Sequence, residues 1–316
     1  MYLTFYRLKE EPFRLTPDPK FLQLPEPHRD ALTRLAHGVI GRKGLMLLSG
    51  PIGTGKTTIL NGLLSVMARR YPAKQLPTAL IVNPRLTSEE LLETLLFEFE
   101  VPCGATSRPS RLAALQGLLF SAFRSGGTCL LIVDEAHLLS LDALEEIRLF
   151  MNTDSYREKL LQVVLCGQPE LTQLLDDPAV KALRQRIAER TALRALSHSE
   201  MRMYICERLR IAGLEQAIPF TSSSFEKIFE CTAGVPRLIN TVCDTCLSIG
   251  CETKRTEIGD DIVEEAAARH QLGGDAAASE DRAGSDLKLK KNAELNVVRL
   301  FGDSLQTAKV TGRGEL

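Results

Sequence analysis

Residues 50–57 read GPIGTGKT and match the pattern G-x-x-x-x-G-K-[ST] at every fixed position, with a third glycine inside it. The fixed residues are Gly50, Gly55, Lys56 and Thr57, and the extra glycine is Gly53. A phosphate chain is a dense anion, and a loop grips it when several backbone N–H groups point inward together. Glycine reaches the required dihedrals and leaves no Cβ in the way. Pro51, Ile52 and Thr54 complete the loop, and Thr58 follows it. Lys56 would reach the β- and γ-phosphates of a nucleoside triphosphate, and the Thr57 hydroxyl would ligand Mg2+.

A second constellation is LLIVDEAH at 130–137, an apolar run that ends in two carboxylates. A parallel strand delivers its C-terminal end to the same rim as a phosphate loop. Asp134 there would bind Mg2+ directly or through water. Glu135 could polarise an attacking water. The letters DEAH also occur in a helicase box, but the other helicase motifs are missing, so His137 is read as a local packing or polar residue.

These residues need elements to hold them. LMLLS (45–49) is suited to a buried strand, and 57–70 has helical spacing, so the loop sits between a strand and a helix N-terminus. Strands are expected at 78–82, 129–133, 161–166 and 188–193, and helices at 28–40, 88–99, 110–123 and 141–151. This alternation implies an α/β fold, a parallel sheet with helices on both faces. After about residue 196 the β-rich runs stop, and 197–211, 222–230, 235–249 and 258–270 read as helices of a small following domain. Residues 1–27 are punctuated by Pro12, Pro17, Pro19, Pro25 and Pro27 with aromatics between them, and are expected to wrap the edge of the next domain. From Gly273 the composition turns polar, and 273–316 reads as mostly disordered, with a short apolar patch at Leu295, Val297, Val298, Leu300 and Phe301.

Bulk properties exclude several classes. Lys and Arg number 39 against 40 Asp and Glu, so no global basic footprint marks a nucleic-acid coat protein. No apolar stretch is long enough for a membrane span, and no signal core opens the chain, so a cytoplasmic protein is expected. Eight cysteines then read as reduced thiols. Cys243 and Cys246 share a helix face, and no second pair completes a tetrahedral zinc set, so they read as core thiols.

The motifs FYRLKEEPFRLTPDPKFLQL, HRDALTRLAHGV, GPIGTGKTT, LLIVDEAHLL, LQVVLCGQPEL, LRQRI and AGVPRLIN together resemble the AAA+ ATPases. More narrowly, they resemble the general secretion pathway A-type (ExeA-like) ATPases and their relatives in exopolysaccharide, protein-sorting and transposon loci. The resemblance covers about residues 1–270, and the N-terminal, GQPEL and GVPRLIN segments are more specific than the phosphate loop. It implies a P-loop NTPase (AAA+) fold with a helical lid, ATP and Mg2+ as ligands, and further roles. Gln168 would touch the γ-phosphate or the water, the alternative being a turn residue before Pro169. Arg237 would reach back from the lid to the phosphates. Pro12, Phe13 and the segment after them would lie near the adenine. Arg186, or else Arg184 or Arg190, would complete a neighbouring subunit's site in a homo-oligomer. The implied domains are a segment at 1–27, an AAA+ core at 28–195, a lid at 196–272 and a tail at 273–316. The fullest secretion-type members continue into a membrane helix and a peptidoglycan-binding domain. Neither is evident here, so membrane spanning and direct peptidoglycan binding are not expected.

Two functions follow. The first is ATP-driven remodelling or assembly of a partner complex, plausibly secretion or export machinery at the inner membrane. The second is an ATP-dependent DNA-binding regulator, using the basic run at 181–194. Against the second stand the balanced charge and the absence of an evident DNA-binding module.

Overall fold

A computed structural model describes residues 2–14, 25–82, 84–102, 107–153 and 158–272. Pro17, Pro19, the 273–316 tail and its apolar patch lie outside the described residues. The chain opens with α1 (Tyr2–Phe5) and α2 (Glu26–Ile40), which leads to β1 (Leu45–Ser49). Then come α3 (Lys56–Arg70), β2 (Thr78–Val82), α4 (Ser88–Glu98), α5 (Arg108–Arg124) and β3 (Cys129–Asp134). The α/β part closes with α6 (Leu141–Phe150), β4 (Leu161–Gly167), α7 (Glu170–Leu175), α8 (Lys181–Arg184) and β5 (Ile187–Ala192). Four helices follow: α9 (His198–Ile211), α10 (Ser222–Thr232), α11 (Pro236–Glu252) and α12 (Asp260–Arg269).

The expected α/β fold is present. The five strands form one parallel sheet in the order β2-β3-β4-β1-β5. Side chains alternate across a strand, so each strand feeds two cores. Leu45 and Leu47 join Leu131 and Val133 on one face, under α4, α5 and α6. Met46 and Leu48 join Ile132, Val164 and Cys166 on the other, under α2 and α3. Burial on both faces explains why these strands read as continuous apolar runs. The one polar residue fully buried in β4, Gln162, is satisfied. Its carbonyl accepts the Gly44 N–H at 2.8 Å, and its amide donates to Thr128 Oγ1 at 3.1 Å and to the Lys159 carbonyl at 2.8 Å.

Local chemistry sets several helix starts. Thr87 and Glu90 cap α4 reciprocally, as Ser197 and Glu200 cap α9. Pro236 occupies the first turn of α11, where its missing N–H costs nothing. Gly234 precedes it at φ +73°, and a Cβ there would lie 2.0 Å from the Leu196 carbonyl oxygen. Only glycine allows that approach.

The N-terminal segment departs from expectation. Residues 2–14 do not wrap the edge of the α/β sheet. Tyr6, Leu8 and Phe13 are buried in the separate core of α9–α12, with Met201, Ile205 and Leu247. Tyr2 Oη donates to Asp244 Oδ1 at 2.6 Å, Tyr6 Oη donates to the Arg255 carbonyl at 2.9 Å, and Arg208 Nε donates to the Pro12 carbonyl at 2.5 Å. The physical reason is that the four short helices leave an apolar groove, and aromatic side chains fill it best. Cys243 and Cys246 lie fully buried in the same core, and burial pushes both thiols above their usual range.

Phe13 is 1% exposed. Phe13→Ala is therefore expected to destabilise the helical part by about 3–5 kcal/mol. Urea unfolding followed by circular dichroism measures this, and a loss near zero would detach the segment from that core.

Candidate functional site

The loop after β1 begins where the sheet hands it over, with the Gly50 N–H donating to the Gly167 carbonyl at 3.2 Å. Gly53 (φ +78°) and Gly55 (φ +94°) take backbone conformations that side chains rarely adopt. Thr54 Oγ1 donates to the Pro51 carbonyl at 2.8 Å and closes the turn. Pro51 and Ile52 are exposed at its crest. α3 starts at Lys56, so its first N–H groups and the positive end of its dipole face the loop's concavity. Lys56 is buried, and its ammonium donates to the Gly50 and Pro51 carbonyls at 2.8 and 3.0 Å. Thr57 and Thr58 follow on the first turn of α3.

β3 ends at Asp134, which is buried at the same rim. The Thr57 hydroxyl donates to Asp134 Oδ2 at 3.2 Å, and the Glu135 N–H donates to Asp134 Oδ1 at 2.9 Å. The neighbouring Cys166 thiol is held far above its usual range, first by burial and then by the Asp134 charge. Glu135 has φ +53°, and its partly exposed carboxylate lies 3.5 Å from His137 Nδ1. Mg2+ keeps several waters and needs few protein ligands, so adjacent Thr57 and Asp134 oxygens fit it. No group of three or more His, Cys, Asp or Glu among the described residues could cage a metal alone.

Gln168 follows β4 directly and lies against His137. The start of α11 docks on the loop. The Arg237 N–H donates to the Gly53 carbonyl at 3.1 Å, and a Cβ on Gly53 would lie 3.0 Å from both Arg237 Cβ and Val235 Cγ1. Gly50, Gly53, Lys56, Thr57, Asp134, Glu135, Gln168 and the Arg237 backbone thus meet at one end of the sheet.

The arginine stretch stands apart from this cluster. Arg184 pairs with Asp176 at 2.8 Å, Arg186 Nη1 donates to the Arg148 carbonyl at 3.4 Å, and Arg190 is exposed on edge strand β5. Arg194 pairs with Glu200 at 2.7 Å. The stretch 181–194 is therefore less a bare basic face than its sequence suggests.

Sequence reasoning missed His28. Its Nε2 lies 2.6 Å from the Thr54 carbonyl oxygen, and a Cβ on Gly55 would lie 3.1 Å from it. Its Nδ1 is buried without a hydrogen-bond partner among the described residues. A signal was present: residues 28, 31, 35 and 39 lie at helical spacing on one buried face of α2. Burial lowers the His28 pKa below its ordinary 6.5, opposed by the Thr54 carbonyl.

A family model for an AAA domain matches residues 39–175. General secretion pathway protein A of Aeromonas hydrophila is 40% identical over 252 residues, covering 78% of this chain and 44% of that protein. The chain thus spans less than half of that relative. An uncharacterised HTH-type transcriptional regulator of Methanocaldococcus jannaschii is 31% identical over 150 residues, 46% of this chain and 35% of the regulator. Among solved structures, the Aeropyrum pernix ORC2 protein in ADPNP-ADP complexes superposes with a TM-score of 0.61 at 16% identity, covering 82% of this chain and 71% of that one. Drosophila ORC bound to DNA superposes with a TM-score of 0.64 at 18% identity, covering 86% and 67%. At such identities these two speak for the fold alone.

Burial favours the neutral form of His28 more than the Thr54 carbonyl favours the charged one. The unfolded residue takes a proton near pH 6.5 and the folded one at lower pH, so the unfolded state binds more protons and stability falls as pH drops below 6.5. Melting between about pH 7 and about pH 5 is expected to show a larger loss for the wild type than for His28→Asn. Parallel curves would remove His28 from the acid response.

Proposed function

The chain belongs to the AAA+ ATPases related to general secretion pathway protein A, and on that premise we propose that it binds ATP with Mg2+ and hydrolyses it to drive a conformational change or assembly. The observation that carries this reading is the contact of Thr57 with Asp134 at 3.2 Å beside a buried Lys56. Loop N–H groups between Gly53 and Thr58 and the Lys56 ammonium hold the phosphates, exchanging the lysine's present carbonyl partners for phosphate oxygens. Thr57 and Asp134 would hold Mg2+, which when bound would supply positive charge against the phosphates. Glu135 accepts a proton from the attacking water, and Gln168 orients the water or the γ-phosphate. Arg237 in this reading reports phosphate occupancy to the lid, and its backbone N–H on the Gly53 carbonyl supports that.

Arg186 is our first choice for a residue that completes a neighbouring subunit's site, with Arg184 and Arg190 behind it. It is half-buried beside α6 and linked to the Arg148 carbonyl. The active species in this reading is a homo-oligomer. Its partner is a secretion or export complex, by likeness to the Aeromonas protein. No helix among the described residues is long and apolar enough to cross a membrane. In this reading the chain acts from the cytoplasm and reaches the inner membrane through that partner. A DNA-dependent role is weaker, since Arg184 and Arg194 are already paired with carboxylates.

The test is a pair of variants assayed with and without DNA. Lys56→Ala is expected to abolish ATP binding, and Glu135→Gln to bind ATP while losing at least about 100-fold in turnover. Unchanged ATP affinity in the first would sink the loop assignment. Stimulation by DNA that falls steeply with salt would favour the DNA-regulator reading.

Arg186→Ala is expected to lose turnover alone and regain part of it when mixed with Lys56→Ala subunits. Steady-state rates of the mixtures measure this, and no recovery at any ratio would exclude a shared site through Arg186.

A further inference from the structure

Between the ends of β3 and β4 sits an imidazole that the reading above leaves without a task. His137 lies in the short turn Ala136–Leu138 after β3, with a side chain only 12% exposed. Its Nδ1 is 3.5 Å from Glu135 Oε2, and its Nε2 is 3.1 Å from the Gln168 side-chain amide. The Gln168 backbone N–H also points at Nδ1, at 3.4 Å. One ring thus touches two residues delivered by different strands. Gly167 makes the approach possible, because a Cβ there would lie 3.1 Å from the His137 backbone nitrogen.

We propose that His137 is a positioning residue that fixes the Gln168 amide beside Glu135. The inference rests on the ATP-hydrolysis reading. A neutral imidazole carries one N–H, and the partner on one nitrogen decides where it sits. The Gln168 backbone N–H donates to Nδ1, so the ring proton sits on Nε2. Nε2–H then donates to the oxygen of the Gln168 side-chain amide, which lies against it at 3.1 Å. Gln168 keeps its NH2 group for the nucleotide or the water. Gln168 is a flexible side chain, and it gains a fixed neighbour at both its backbone and its amide. The gain is in the geometry of attack rather than in grip on the phosphates, so it belongs in kcat and not in affinity.

The competing account is that His137 only packs the turn. A packing role would lower stability and act independently of Gln168. A positioning role must act through Gln168, so the two substitutions must not add.

The experiment uses the full chain and measures kcat and KM for ATP, affinity for a non-hydrolysable ATP analogue, and melting temperature. The variants are His137→Ala, His137→Gln, Gln168→Ala and the double variant His137→Ala/Gln168→Ala. We expect His137→Ala to lower kcat about 10-fold with analogue affinity changed less than about 2-fold. His137→Gln, which can still hydrogen-bond the Gln168 amide, should recover part of the rate. In the Gln168→Ala background the histidine substitution should cost less than about 2-fold more. Full additivity, or a rate loss that tracks a fall in melting temperature and affinity, overturns the inference alone. A wild-type chain that binds the analogue but turns over no ATP overturns the hydrolysis reading, and this inference with it.

Discussion

A parallel sheet buried on both faces admits polar groups only at its ends. β3 and β4 are buried at every position, and β1 at all but its last. Each strand ends where the chain must turn back over a helix. The carboxylate of Asp134, the Gly50 turn and Gln168 all fall at the C-terminal edge for that reason. Strand register then fixes their spacing. Ser49 pairs with Gly167, and Val133 pairs with Leu165, so three separate sequence motifs arrive at neighbouring positions. Everything chemical in the molecule depends on this one alignment.

The second constraint is the docking of the helical part on the loop. The link between the Arg237 N–H and the Gly53 carbonyl is a single backbone hydrogen bond, and the Gly53 site leaves no room for a side chain. A loop that changes shape around phosphates must therefore move or strain α11. Gly234, pressed against the Leu196 carbonyl, holds the other end of that connection. The N-terminal segment belongs to the same helical part, because Tyr6, Leu8 and Phe13 are built into its core. His28 holds the Thr54 carbonyl from α2. The loop is thus held by two elements, α2 and α11.

The strands were legible because burial on both faces leaves an unbroken apolar run, and the observed limits differ from expectation by a residue at most, as with β3 reaching Asp134 and β5 starting at Ile187. Helix limits slipped further where caps were missed. α10 runs on to Thr232 and α11 to Glu252, because no breaker in the sequence stops them earlier. The phosphate loop and the two carboxylates were readable because their chemistry is local. His28 was not, since a histidine on an apolar helical stripe looks like any core residue. Nor was His137, whose meaning comes from Gln168, 31 residues away.

The sequence by itself determined the sheet, the glycine loop, the order of strands and helices, and the carboxylates at the end of β3. These are properties of short segments: periodicity, dihedral freedom and capping act within a few residues. Tertiary structure alone decided that the opening segment joins the last helices, that Arg184 and Arg194 are already paired, and that His28 and His137 stand beside the loop and the carboxylates. Those facts depend on which distant surfaces bury one another, and no local pattern along the chain encodes that choice. The loop at Gly50–Thr57 is where the two kinds of information meet, its shape set by its own glycines and its neighbours set by the fold.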